Sequence, residues 1–169
     1  MGSTIDIARL SGHYAVRKLD ESDADSILAL CKENPQFYKY CEAKPTKEQV
    51  LGDLRITPPG IALSDKYYVG FFCGHVLVAV MDLIDGYPTP DTAYIGFFMV
   101  KKSMQGKQKG SEIIRETAAY LKAAEKTAIR LAIDKKNPQS THFWQKNGFQ
   151  TVKEVDRNGW PMLVAQKTL

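Results

Sequence analysis

The stretch Tyr94–Leu121 limits the fold more than any other part of the chain. It opens as an apolar, aromatic-rich run, Tyr94-Ile95-Gly96-Phe97-Phe98-Met99-Val100, the composition of a buried strand. It closes with Gly110, Ile113, Ile114, Thr117, Ala118 and Leu121 on one face at helical spacing. The link between them is rich in Gly and Lys. A helix N-terminus is electropositive and favours Asp or Glu in its first turn. Here Lys107 and Lys109 stand at that point, with Lys101 and Lys102 just before. Each such charge costs a few tenths of a kcal/mol, up to ~1, and an anion on the free backbone N–H groups reverses the sign of that cost. The turn therefore reads as a phosphate site, with a solvated basic loop as the alternative that charge alone leaves open. It is not a P-loop, because Gly106 and Gly110 are four apart and no Gly-Lys-Ser/Thr follows. It also lacks the Gly-x-Gly-x-x-Gly of a dinucleotide turn.

Taken in order, Tyr14–Lys18 reads as a first strand and Asp20–Lys32 as a helix capped by Asp20 or Ser22, with Ile27, Leu28, Leu30 and Cys31 inward. Pro35–Cys41 is an aromatic-dense link. Thr46-Lys47-Glu48-Gln49 has the spacing of a capping box, and opens a helix that runs to about Arg55 and stops before Pro58-Pro59-Gly60. Lys66–Cys73 and His75–Ile84 form a hairpin about Gly74. Asp85–Pro90 is a loop by its turn residues, and Thr92–Val100 is the strand entering the basic turn. Gly96 within it marks a bulge or a close backbone approach. Ala128–Ile133 is a buried strand. Asn137-Pro138 starts a helix that stops at Asn147-Gly148. Phe149–Asp156 and Trp160–Gln166 are strands joined by Asn158-Gly159.

At 169 residues, 44% hydrophobic and 25% charged, the chain suits one globular domain, residues 1–169. No apolar run approaches the ~20 residues of a membrane span, so no membrane partner is expected. Met1–Gly12 lacks a signal-peptide pattern. Cys31, Cys41 and Cys73 are an odd count without Cys-x-x-Cys spacing, which suits reduced thiols and a cytoplasmic location. No metal is expected. The net charge of +4 does not by itself call for nucleic acid.

Two motifs carry a resemblance. The order Gln105-Gly106-Lys107-Gln108-Lys109-Gly110 resembles the acetyl-CoA pyrophosphate loop of the GNAT superfamily, the Gcn5-related N-acetyltransferases, written Gln/Arg-x-x-Gly-x-Gly/Ala. Gln105 and Gly110 match. Gln108 replaces the usual first Gly, which a residue with negative φ can do. Asn137-x-x-Ser140-x-x-Phe143-Trp144-x-Lys146-x-Gly148-Phe149 is similar to the family's Asn-x-x-Ala, aromatic pair ending in Tyr, and Lys-x-Gly-Phe. The element order fits over residues 14–166.

The resemblance implies a GNAT fold of mixed α/β class: a central, mostly antiparallel sheet of six to seven strands flanked by about four helices, with the fourth and fifth strands parallel and splayed. It implies acetyl-CoA as co-substrate, held by Phe98, Met99, Val100, Gln105, Gly106, Lys107, Gln108, Lys109, Gly110, Ser111, Asn137, Ser140, Phe143 and Trp144. On this reading, Gly110→Asp abolishes cofactor binding and leaves the fold intact. The link between the first two helices would wall the acceptor site, which brings in Phe37, Tyr38 and Tyr40; ordinary packing under a loop is the other reading of these rings. Asp82, near the end of its strand, is a further candidate substrate contact and a possible base; a turn acceptor is the other reading of it.

The chemistry needs a neutral amine, a stabilised carbonyl oxygen and a stabilised leaving thiolate. An alkyl amine near pKa ~10.4 is mostly protonated at pH 7. The resemblance assigns the oxyanion contact to the N–H of Phe98. Tyr94 stands where some members carry a general-base Glu, and could donate a proton or order a water. Trp144 stands where many carry an acid Tyr, and indole has no such chemistry. His142 lies about 200° round the helix from Trp144 and is expected to point away from the cofactor. The partners implied are a coenzyme A thioester and a small-molecule or peptide amine. Pairing into a homodimer is common in the family and left open by these residues. A non-catalytic acyl-CoA-binding module and a nucleic-acid binder using Lys101, Lys102, Lys107 and Lys109 are the competing readings.

Overall fold

A computed structural model describes residues 5–169, so the first four residues of the Met1–Gly12 stretch lie outside the described part. Seven strands form one sheet: β1 (Ala15–Lys18), β2 (Lys66–Cys73), β3 (Val76–Asp85), β4 (Thr92–Val100), β5 (Ala128–Asp134), β6 (Gln150–Arg157) and β7 (Trp160–Thr168). Their spatial order is β1-β2-β3-β4-β5-β7-β6. Every neighbouring pair is antiparallel except β4 and β5, which run parallel. The connection between that parallel pair carries α4 (Lys109–Ala123), since a parallel crossover needs a dozen or more residues.

Side chains alternate along the strands, so the sheet feeds two cores. On one face, Met81, Leu83, Ile95 and Ile129 pack against Ile113, Ile114 and Leu121 of α4 and against Trp144 of α5 (Pro138–Lys146). On the other, Tyr68, Val80 and Met99 meet Ile27, Leu30 and Cys31 of α1 (Ala24–Lys32) and Val50 of α3 (Lys47–Asp53). Each fully buried Ile or Leu contributes roughly 1.5–3 kcal/mol of transfer free energy. Leu28 lies only partly inside.

Local signals account for most boundaries. Asp20 caps a short 3-10 turn, Glu21–Asp23, that leads into α1. Thr46 accepts the Gln49 N–H at 3.1 Å to cap α3. Asn158 and Gly159, with φ of 54° and 84°, have the left-handed conformations of the tight hairpin turn that joins β6 and β7. Among the described residues there are five α-helices, one of them short: Pro35–Tyr38 in the aromatic link closes as α2, with Pro in its first turn.

The feature that positions the site is an early parting of β4 and β5. They pair only from Thr92↔Ala128 to Ile95↔Leu131. Beyond Ile95 the register between β3 and β4 shifts, with Asp82 opposite Phe97 and Leu83 opposite Ile95, so Gly96 is the extra residue of a bulge. Glycine is required there by space: a Cβ on Gly96 would lie 2.7 Å from Asp82 Oδ2. We expect Gly96→Ala to cost about 1–3 kcal/mol as an overpacking substitution. Urea denaturation checks this, and an unchanged midpoint would show that the carboxylate moves aside freely.

Candidate active site

Where β4 leaves β5, a cleft of about 540 Å³ opens. Phe98, Met99 and Val100 bring β4 to it; Gln105, Gly106 and Gln108 come from the basic turn; Lys109, Gly110 and Ser111 begin α4. Asn137, Ser140, Phe143 and Trp144 face it from α5, and Phe37 from the link. Lys107 is exposed on the turn but outside the lining.

The turn is open to solvent rather than packed in the interior. Gln108 is the N-cap of α4, and its conformation is left-handed, φ 63°, not the negative φ expected from the sequence. A non-glycine residue there bears a cost that the family's usual Gly would avoid. The Gln108 side chain does not cap the helix; its Oε1 accepts from Lys146 Nζ at 2.9 Å. The N–H groups of Lys109, Gly110 and Ser111 thus begin a 15-residue helix without a capping side chain. Lys102, Lys109 and Lys146 line the same cleft. The only acid of that turn, Glu112, faces His13 instead, 3.6 Å away.

Several motif residues build the site rather than merely line it. Gln105 Nε2 donates to Asn34 Oδ1 at 2.5 Å and to the Val100 carbonyl at 2.8 Å, which ties the turn to the strand end. Asn137 Oδ1 accepts the Ser140 N–H at 3.0 Å and caps α5. Trp144 is 8% exposed, with ring centroids of Phe98, Phe143 and Phe149 at 5.9, 5.0 and 5.0 Å. Its indole packs the cleft floor. Gly110 lets α4 approach α5 and β4: a Cβ there would lie 3.2 Å from Phe143 and 3.3 Å from Val100. That corrects the expectation for Gly110→Asp, since an Asp side chain would press a carboxylate into that packing and disturb the fold as well as the turn.

Other candidates lie elsewhere. Tyr94 belongs to the part of β4 still paired with β5 and stacks edge-on against Tyr87 at 5.3 Å. Burial raises its phenol pKa, and it does not line the cleft. Tyr38 packs beside Phe37 at 5.1 Å, and its hydroxyl is raised strongly, by burial first and then by Cys31. This is the packing reading. Tyr40 sits under Lys39, 5.8 Å from its Nζ, and also outside the lining. Asp82 is neither a turn residue nor in the lining; it is buried within β3 and accepts from Lys66 Nζ at 2.8 Å. His142, expected to point away, is exposed on the cleft rim.

The sequence reading missed Glu33, Asn34, Gln36, Lys102, Gln139 and Lys146 as lining residues. Glu33 accepts the Lys102 N–H at 3.0 Å across 69 positions, a pairing no local spacing signals. It also missed a clasp beyond the cleft. Asp134 Oδ1, at the end of β5, accepts from Trp160 Nε1 at 2.5 Å, and its Oδ2 accepts from the Cys41 thiol at 3.6 Å. Burial, with Asp134 beside it, pushes the Cys41 thiol up to about 12. Among the described residues, one group, His13, Glu112 and Glu116, brings three potential metal-donor atoms within 4.8 Å. His13 Nδ1 lies 2.8 Å from Glu116 Oε2, a polar contact that fastens the N-terminal segment to α4 away from the cleft lining.

Residues 25–149 match the family model described as Acetyltransferase (GNAT) family. The chain belongs to the GNAT acetyltransferase family. Solved structures agree in fold. An acetyltransferase from Thermus thermophilus is 22% identical, with a TM-score of 0.72 over 91% of this chain and 96% of that one. The PaiA N-acetyltransferase of Thermoplasma acidophilum, in complex with coenzyme A, is 20% identical, with a TM-score of 0.66 over 91% and 98%. AAC(6')-Ib, in complex with ribostamycin and coenzyme A, is 17% identical, with a TM-score of 0.69 over 90% and 92%. None of the curated protein sequences is a significant match. Both stretches that carried the family resemblance, residues 105–110 and 137–149, contribute to the cleft.

Two outcomes follow from this geometry. Gln108→Gly should relieve the left-handed cost and stabilise the protein by up to about 1 kcal/mol, seen as a rise of roughly 2–4 °C in Tm. At pH 7.5, iodoacetamide should modify exposed Cys73 well before Cys41, whose thiol stays protonated. Peptide mapping by mass spectrometry reads the order, and equal rates would break the Cys41–Asp134 assignment.

Proposed function

We propose that this chain, as one domain over residues 1–169, transfers an acetyl group from acetyl-CoA to a primary amine by direct attack in a ternary complex. The observation that carries the reading is the start of α4: a helix end with no capping side chain, opening with Lys102, Lys109 and Lys146 into the cleft made by the parting of β4 and β5. The coenzyme's diphosphate would cap the Lys109, Gly110 and Ser111 amides. Its pantetheine arm would lie along the part of β4 that β5 leaves unpaired, as a short added strand. Met99 and Val100 then flank the arm, and the Phe98 N–H receives the developing oxyanion. Phe143 and Trp144 supply the apolar wall beside the thioester. The coenzyme A complexes of PaiA and AAC(6')-Ib support the cofactor assignment.

A second reading, an acyl-CoA-binding module without turnover, draws on Trp144, which fills the family's usual acid position with a buried indole. Calorimetry with acetyl-CoA alongside turnover on a panel of polyamines, amino acids, aminoglycosides and peptides separates the two. Binding with turnover is expected; heat without turnover on any amine would favour the module. Lys109→Glu puts an acid in the first turn of α4, which favours the helix and opposes the phosphate. It should weaken coenzyme A binding about tenfold or more, ~1.4 kcal/mol, without lowering Tm. Unchanged affinity would remove the turn from the site.

A further inference from the structure

Acetyl transfer from this cleft still needs a group to take the ammonium proton, and one buried carboxylate is unused. Asp82 is 8% exposed, and its Oδ2 is held by Lys66 Nζ at 2.8 Å, with Lys66 itself 1% exposed. Its Oδ1 is buried and has no hydrogen-bond partner among the described residues. An unpaired oxygen on a buried carboxylate weakens the fold, so a purely structural ion pair leaves it unaccounted for. Asp82 also has a particular place. It lies opposite Phe97, the residue before Phe98, at the bulge where β4 parts from β5. A strand spacing of ~5 Å and a rise of ~3.3 Å put it within roughly two such steps of the Phe98 backbone. Gly96 is exposed, between buried Ile95 and half-buried Phe97. A Cβ there would meet Asp82 Oδ2 at 2.7 Å and Cγ at 3.4 Å. Gly96 thus sets no side chain of β4 against the Oδ2 edge of the carboxylate.

We propose that Asp82 is the proton acceptor for the acceptor amine, with Lys66 as the positioning residue that keeps it ionised and oriented. The inference rests on the acetyltransferase reading of the cleft. Asp82 takes one proton from the alkylammonium, and the freed nitrogen lone pair attacks the thioester carbonyl. The C–N bond forms, the C–S bond breaks, and coenzyme A leaves as its thiolate. The second proton, lost from the nitrogen of the adduct, neutralises that thiolate, and the first returns from Asp82 to solvent. The surroundings suit a base. Burial, with Asp53 of α3 adding to it, raises the Asp82 carboxyl above the usual range, and Lys66 of β2 holds it back. The other titratable groups facing it are Tyr68 of β2 and Tyr94 of β4.

The test measures steady-state rates against pH for wild type, Asp82→Asn and Lys66→Gln, each normalised to coenzyme A sites counted by calorimetry. Asp82→Asn should lower kcat by about 10²-fold or more at pH 7.5, with the KM for acetyl-CoA unchanged. Its rate should climb with pH towards wild type, as solvent frees the amine. Lys66→Gln should keep the plateau and move the acid limb up by about one unit or more. A purely structural pair would lose stability and leave the normalised profile in place. Asp82→Asn within about threefold of wild type, or a Lys66→Gln profile that superimposes on it, would overturn the role. If Asp82→Asn does not fold, the Lys66→Gln profile decides. Wild-type protein that binds no coenzyme A would sink the acetyltransferase reading instead, a separate outcome.

Discussion

The architecture turns on a strand pair that stops after four residues. β4 and β5 hold together from Thr92 to Ile95 and then separate. A parallel pair inside a closed sheet would bury its backbone groups in the ladder; the separation releases those of β4 into a cleft. It coincides with a local feature, a one-residue bulge at Gly96, where the Asp82 carboxylate occupies the space a side chain would need. The rest of the molecule supports that parting. Antiparallel neighbours brace β4 on one side and β5 on the other, and the two cores clamp the sheet from both faces.

Two of the residues most tempting to read as chemical are structural. Trp144 completes an aromatic cluster with Phe98, Phe143 and Phe149, which forms an apolar floor to the cleft there. Gln105, the first residue of the turn motif, spends its amide on Asn34 and Val100. Its work is to fix the distance between the end of β4 and the start of α4. Sites held by such struts present backbone groups more accurately than flexible side chains could.

Much of this was legible in the residues. The aromatic strand, the basic turn, the Asn137 cap and the Asn158-Gly159 hairpin are local signals, and the structure has each where its chemistry requires it. What failed were statements about direction and distance. Tyr94 matched a motif position but precedes the bulge, so it stays in the paired part of β4. Tyr38 sits in an aromatic link, yet the short helix Pro35–Tyr38 turns it onto α1 while Phe37 faces the cleft. Gln108 kept the place of a glycine and its left-handed backbone too, which composition does not announce. Glu33, Asn34 and Lys146 became neighbours of the turn only through pairings across 38 to 71 positions, beyond the reach of any periodicity.

The unfinished end of α4 has a thermodynamic corollary. A helix whose opening amides await an outside acceptor frays at that turn when none is bound. Any anion that seats there binds the folded chain and not the unfolded one, so its concentration enters the folding equilibrium directly. A ligand held at the start of α4 would then make the melting temperature rise with its concentration.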